Sequence, residues 1–352
     1  MKPTNAQSKD VLYLTPCANC FARCCAAARK EVCCVVWSGE PLHTTQQTSL
    51  RSAEGAECFV KPGLRPNKCA YKGESKQMHA KWWKHVHWPE YGAEFLGTAF
   101  MVFAGLSAVV FDFGKGLPPA QLLPDAGLRR LITGLLFAGS GSLVAISPFG
   151  KLSGAHINPS VSLAFWAHGK MHHHDVFGYI FGQFLGAIAG EALLVAVWGS
   201  YARSVLDGMT LPGAGYPLWL VFAAEMICTC LLVLGIFLFV SSTHLMRWTP
   251  LMTWLLVATM VWLEAPISGT SLNPARSLGP ALFAWMWQGQ WLYWLAPPLG
   301  ALLAVGVYRL LTWRKLDVRT GKLFHAPQYR SVFRQVSAPH KPAQGPLREK
   351  SR

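Results

Sequence analysis

Ser153-Gly154-Ala155-His156-Ile157-Asn158-Pro159-Ser160 and Ser268-Gly269-Thr270-Ser271-Leu272-Asn273-Pro274-Ala275 are one pattern written twice, 115 positions apart. Asn is a good helix N-cap, and Pro suits the first helical position, where its missing N–H would have had no partner. Each Asn-Pro pair therefore starts a short helix, from Pro159 to about residue 168 and from Pro274 to about residue 285. Helices of about 10 to 12 residues rise only ~15–18 Å, half of a bilayer. The Ser-Gly-x-x stretch before each pair is non-helical. At membrane depth such backbone survives only inside protein or along a watery cavity.

The repetition extends outward from these boxes. Leu185-Gly186-Ala187 matches Leu299-Gly300-Ala301 at an offset of 114, and Ala93-Glu94 with Thr98 matches Ala224-Glu225 with Thr229. Six apolar stretches surround the boxes, at about 91–111, 131–149, 176–198, 218–240, 251–267 and 291–311, and each is close to the ~20 residues that span a bilayer. In the third, Gly182, Gly186 and Gly190 recur every four residues and form one small-residue face for close helix packing. Each half, 88–200 and 217–312, holds three spans. Three is odd, so the second half lies upside down relative to the first. The expected fold is an all-α membrane protein of six transmembrane helices plus two re-entrant half-helices in an inverted 3+3 repeat. Such architectures place a binding or conduction site near the midplane.

Composition agrees with this. Hydrophobic residues are 52% of the 352 and charged residues 14%, against about 25% in soluble domains. The net charge of +15 first suggests a nucleic-acid partner, but residues 1–90 carry +6, residues 309–352 carry +9 and residues 91–308 carry none. A nucleic-acid binder puts a basic face on its folded domain. Basic tails around a neutral apolar centre instead fit cytoplasmic tails of a membrane protein. With both termini inside, 27 of 32 Lys and Arg residues fall on the inner side, including Lys151, Lys170 and Arg247. The chain thus divides into a Cys-rich basic tail (1–87), a membrane domain (88–312) and a basic carboxyl-terminal tail (313–352).

Eight of ten cysteines precede residue 70, and no cleavable signal peptide is recognisable, so reduced cytoplasmic thiols are expected. Cys17-x2-Cys20 and two Cys-Cys pairs hint at zinc or redox chemistry, yet no second C-x2-C or His completes a standard spacing. Disorder is the favoured reading of this tail. Met78 ahead of Trp82-Trp83 and Trp88 offers an alternative start next to an interfacial aromatic anchor.

At its repeated boxes the chain resembles the aquaporin, or major intrinsic protein, family in a bacterial-type form with unmatched tails. The resemblance rests on Asn158-Pro159-Ser160, Asn273-Pro274-Ala275-Arg276 and the first-helix Glu94, and covers about residues 88–312. Ser160 stands where the family has Ala, another small residue. The family implies a homotetramer with one pore per subunit in the cell (inner) membrane, conducting water and small neutral solutes across the lipid bilayer. It implies no nucleic acid, cofactor, metal or catalytic residue. Half-helix dipoles and an Arg are the barriers to cations and protons in such channels. By resemblance, the amides of Asn158 and Asn273 donate to the passing molecule. Carbonyls of Gly154, Ala155, His156, Gly269, Thr270 and Ser271 accept along the path, and Glu94 and Glu225 buttress the re-entrant loops. The selectivity constriction falls on Ala138, Val261, Thr270 and Arg276. Strict water channels place an aromatic and a His at the first two of these, so a wider, more apolar opening is expected, unless Phe137 or Trp262 turns inward. Ser277, Ala281 and Tyr293-Trp294 resemble water channels instead, so the subclass stays open.

Other residues are weighed singly. Intramembrane carboxylates are functional by default. Glu264 is expected to reach water near the end of its span, and Glu191 has no partner assignable from sequence. His168, His172, His173, His174 and Asp175 could make a metal site or a pH gate, but are expected to be a solvated loop. A secondary transporter is the alternative function, since inverted repeats and broken helices serve both. The absence of acidic residues from the re-entrant segments favours a channel. No G-x-S-x-G or H-E-x-x-H pattern supports an enzyme.

Overall fold

The computed structural model describes residues 49–51, 57–59, 86–313 and 316–333. Apart from Cys58, the amino-terminal cysteines lie outside them, as do Met78, Trp82 and Trp83. Ser49–Arg51 (β1) pairs antiparallel with Glu57–Phe59 (β2), Leu50 opposite Cys58. This short ladder belongs to a unit separate from the helices.

The second unit holds six helices long and apolar enough to cross a membrane. They are α1 (Trp88–Phe113), α2 (Ala126–Ile146), α4 (His173–Trp198), α5 (Leu218–Ser241), α6 (Thr249–Ser268) and α8 (Gln290–Thr312). Among the shorter helices between them are α3 (Pro159–Ala167) and α7 (Pro274–Phe283), each starting at an Asn-Pro pair. The order reproduces the inverted repeat. Local chemistry sets the boundaries. Asp125 caps α2, its carboxylate accepting from Leu128 N at 2.6 Å, so α2 begins five residues before the predicted 131. It stops at Ile146 rather than 149, because Ser147 before Pro148 is held extended and caps the separate helix Pro148–Ser153.

The glycine face of α4 is where it meets α1. A Cβ on Gly182, Gly186 or Gly190 would lie 2.8, 2.3 and 2.5 Å from the carbonyl oxygens of Tyr91, Phe95 and Ala99. The other half repeats the contact: a Cβ on Gly300 of α8 would lie 2.2 Å from Met226 O of α5. Only glycine permits this approach. α2 packs on α6, and α3 and α7 pack on α8 and α4.

The packing does not stop at the domain end predicted near 312. Residues 316–333 fold back onto the channel unit, burying Val318, Leu323, Ala326 and Phe333. Two further expectations give way. Asp175 is fully buried and His168 packs between Phe237 and Tyr308, so the His-rich segment is not simply a solvated loop. Glu264 is buried and takes a hydrogen bond from Thr270 Oγ1 instead of reaching water.

Candidate functional site

The two re-entrant loops are built alike. Gly154, Ala155 and Ile157 in one, and Gly269, Thr270 and Leu272 in the other, all have positive φ. For the non-glycine members this conformation is costly and persists only where surrounding contacts enforce it. Those contacts come from two buried carboxylates. Glu94 accepts from His156 N at 3.0 Å, Ile157 N at 2.6 Å and Ser153 Oγ at 2.6 Å, while Gln183 Nε2 donates to it at 2.7 Å. Glu225 accepts from Ser271 N at 2.7 Å, Leu272 N at 2.9 Å and Ser268 Oγ at 2.5 Å. Tyr179 and Tyr293 complete the pairing, their hydroxyls donating to Ser153 O and Ser268 O at 2.6 Å.

Each loop then enters its half-helix through an Asn cap. Asn158 Oδ1 accepts from Ser160 N at 2.8 Å and Asn273 Oδ1 from Ala275 N at 3.0 Å. Asn158 Nδ2 donates to Leu272 O and Asn273 Nδ2 to Ile157 O, at 2.9 and 2.8 Å. The amino ends of α3 and α7 thus face one another, joined by these crossed bonds. A primary amide has two N–H groups, so each Asn keeps a second donor.

A cavity of about 330 Å³ passes this junction. Ala138, Val261, Thr270 and Arg276 border it together, as do His156, Asn158, Gly269, Ser271 and Asn273. Gly154, Ala155, Pro159, Ser160, Pro274, Ala275, Glu94 and Glu225 do not border it. Ser160 is fully buried there, so its departure from Ala touches packing rather than the cavity surface. The Arg276 guanidinium is held by Gly208 O at 2.8 Å and lies 5.4 Å from the centre of the Phe137 ring. Phe137 also borders the cavity, supplying an aromatic next to Ala138, whereas Trp262 does not. Thr270 Oγ1 donates to the buried carboxylate of Glu264.

The chain matches the Major intrinsic protein family over residues 81–308, well over half its length. It belongs to that family. Aquaporin Z of Rhodopseudomonas palustris is 34% identical over 235 residues, covering 63% of this chain and 93% of the relative. Aquaporin A of Dictyostelium discoideum is 33% identical over 230 residues, covering 64% and 79%. The X-ray structure of the aquaglyceroporin from Plasmodium falciparum shares the fold, with a TM-score of 0.52 at 24% identity over 63% of this chain and 96% of that one. As a major intrinsic protein, the chain is a multi-pass membrane channel and not an enzyme.

Three features of this major intrinsic protein lie outside the repeated motifs. Gln183, whose amide also donates to Ser162 Oγ at 3.0 Å, carried a signal as an amide within an apolar span. Glu191 is fully buried beside Gly279 of α7, and neither of its oxygens has a hydrogen-bond partner among the described residues. Leu323, from beyond the last span, borders the cavity next to His156, and nothing in the composition of a basic tail announces it.

Proposed function

We propose that the chain forms a passive pore for water and small uncharged solutes that excludes ions and protons. The observation that carries this reading is the meeting of two capped half-helix amino ends at the cavity midpoint. The positive poles of both dipoles converge there, which makes the point hostile to a cation, while the spare amide N–H groups of Asn158 and Asn273 offer donors to a neutral oxygen. Arg276 adds a fixed positive charge at the constriction. Relatives named aquaporins support water as a permeant. Ala138 and Val261 leave room for a molecule larger than water, and Phe137 against Arg276 gives that opening one aromatic wall. We place both termini in the cytoplasm from the distribution of basic residues, and the protein in the cell membrane as a homotetramer from its family resemblance.

Stopped-flow swelling of proteoliposomes under water, glycerol and urea gradients tests the reading. Flux linear in each gradient is expected. Saturable or ion-coupled flux would instead make the protein a secondary transporter.

A further inference from the structure

Asp175, in the first turn of α4, is fully buried, and its two oxygens have different surroundings. Oδ1 accepts from Tyr91 OH at 2.7 Å and faces His87 Nδ1 at 2.6 Å. Oδ2 has no hydrogen-bond partner among the described residues, although His174 Nε2 lies 3.4 Å away. A buried, unbonded carboxylate oxygen is costly. Two ligands on a tetrahedral zinc ion, with bonds of about 2.0–2.1 Å, sit ~3.3 Å apart, close to this Oδ2–Nε2 separation. One ligand atom from each of His87, His174 and Asp175 lies within 4.8 Å of the other two. The two imidazoles are part-exposed, at 32% and 43%, so an ion could enter and keep a water in its fourth position.

We propose that His87, His174 and Asp175 form a site for a zinc-class divalent cation, tying the start of α1 to the start of α4. The ligand set selects the metal: two imidazole nitrogens with one carboxylate suit zinc, copper or nickel, whereas magnesium prefers oxygen ligands. Tyr91 supplies the outer hydrogen bond that commonly orients a ligating carboxylate.

Calorimetric titration of the full-length protein, its cysteines first alkylated so that thiols cannot compete, tests this with Zn2+ and with Mg2+. Wild type should bind one Zn2+ at this site and no Mg2+. His174→Ala and His87→Ala, both at part-exposed positions that should fold, should each weaken Zn2+ at least ~10-fold. No Zn2+ binding by wild type, wild-type Zn2+ affinity in either variant, or equal response to Mg2+ would each overturn the proposal.

Independently, residues 316–333 pack where α1 begins, and Leu323 of this segment borders the cavity. Leu323 N donates to Gly154 O at 3.0 Å, which occupies one of the carbonyls expected to serve the path. His156 Nε2 donates to Gly321 O at 2.8 Å, and the Phe333 ring lies 5.2 Å from the imidazole. Anchors hold the segment at three places. Arg330 grips the buried Glu90 through Nε and Nη2 at 2.6 and 2.7 Å. Lys322 Nζ donates to Lys151 O and Arg330 O at 2.7 and 2.6 Å. Asp317 pairs with Lys170 at 2.7 Å; burial tends to raise its carboxyl pKa, but hydrogen bonds from Lys170 and His168 win and hold it below the usual range.

We infer that this segment is an intramolecular cap that restricts flux through the mouth it covers. Arg330→Ala with Phe333→Ala should raise water permeability per channel severalfold at equal membrane abundance. Hydrogen exchange on the wild type gives a second reading that needs no variant, since the Leu323 amide should be strongly protected. Unchanged or lower permeability in a normally inserted variant, or fast exchange at Leu323, would contradict the cap.

Discussion

Asn158 and Asn273 are cross-tied, each side-chain amide donating to the carbonyl just before the other Asn, at 2.9 and 2.8 Å. The two caps therefore hold each other in register as well as starting their own helices. Bonds between the halves of the repeat thus fix the cavity wall at these two residues, and on the proposed reading their spare amide donors are positioned before any solute arrives.

Arg276 is buried yet faces the cavity, with its guanidinium anchored on Gly208 O. Replacing it by Val should leave the protein inserted, because the loop backbone is held by Glu225. The constriction would lose its fixed charge, and cation or proton leak should rise. Normal ion exclusion in Arg276→Val at wild-type abundance would count against its assigned role.

Glu94 and Glu225 each accept from two backbone N–H groups that have strained neighbours. A Gln at either position presents one amide oxygen and an NH2 group that clashes with these donors. A buried donor left unbonded costs ~1–3 kcal/mol, so Glu94→Gln and Glu225→Gln should lower melting temperature and water flux together. Full flux with unchanged stability would show that the loops hold their shape without these carboxylates.

The glycine contacts separate packing from conduction. A methyl at Gly186 or Gly300 would fall 2.3 or 2.2 Å from a carbonyl oxygen of the facing helix, whereas one at Gly306 meets nothing within 4 Å. Gly186→Ala and Gly300→Ala should each destabilise by ~1–3 kcal/mol, the usual cost of overpacking, and Gly306→Ala should be neutral. Thermal unfolding in detergent distinguishes them, and equal melting temperatures for all three variants would refute the close-approach account.

How far the sequence was legible depended on whether a feature was written twice. The Asn-Pro boxes recur 115 positions apart, Gly186 with Gly300 114 apart and Glu94 with Glu225 131 apart, so each copy vouched for the other, and half-helices and inversion followed from cap chemistry and span counting. Features that occur once were harder. Glu264 looked like an end-of-span residue because sequence does not reveal that Thr270 folds back to meet it. Asp175 looked solvated among histidines because its burial depends on Tyr91, 84 positions away. The docking of residues 316–333 rests on contacts such as Arg330 with Glu90, separated by 240 positions and marked by no periodicity.

On the proposed reading, pore width is set where Ala138 and Val261, both apolar, border the cavity with Phe137 beside Arg276. Ala138→Phe with Val261→His adds bulk and an imidazole to that ring of residues. Glycerol and urea flux should then fall far more than water flux. Parallel loss of all three, or a wild type that already excludes both solutes while passing water, would contradict an opening wider than water.

The most direct test of the central claim measures water and proton flux together in proteoliposomes holding the full-length protein and a pH-sensitive dye. Rapid osmotic swelling above that of empty vesicles, linear in the gradient, with no dissipation of an imposed pH difference, is the expected result. Swelling no faster than empty vesicles, or water flux accompanied by proton leak, would contradict a pore whose midpoint is set by Asn158, Asn273 and two opposed helix ends.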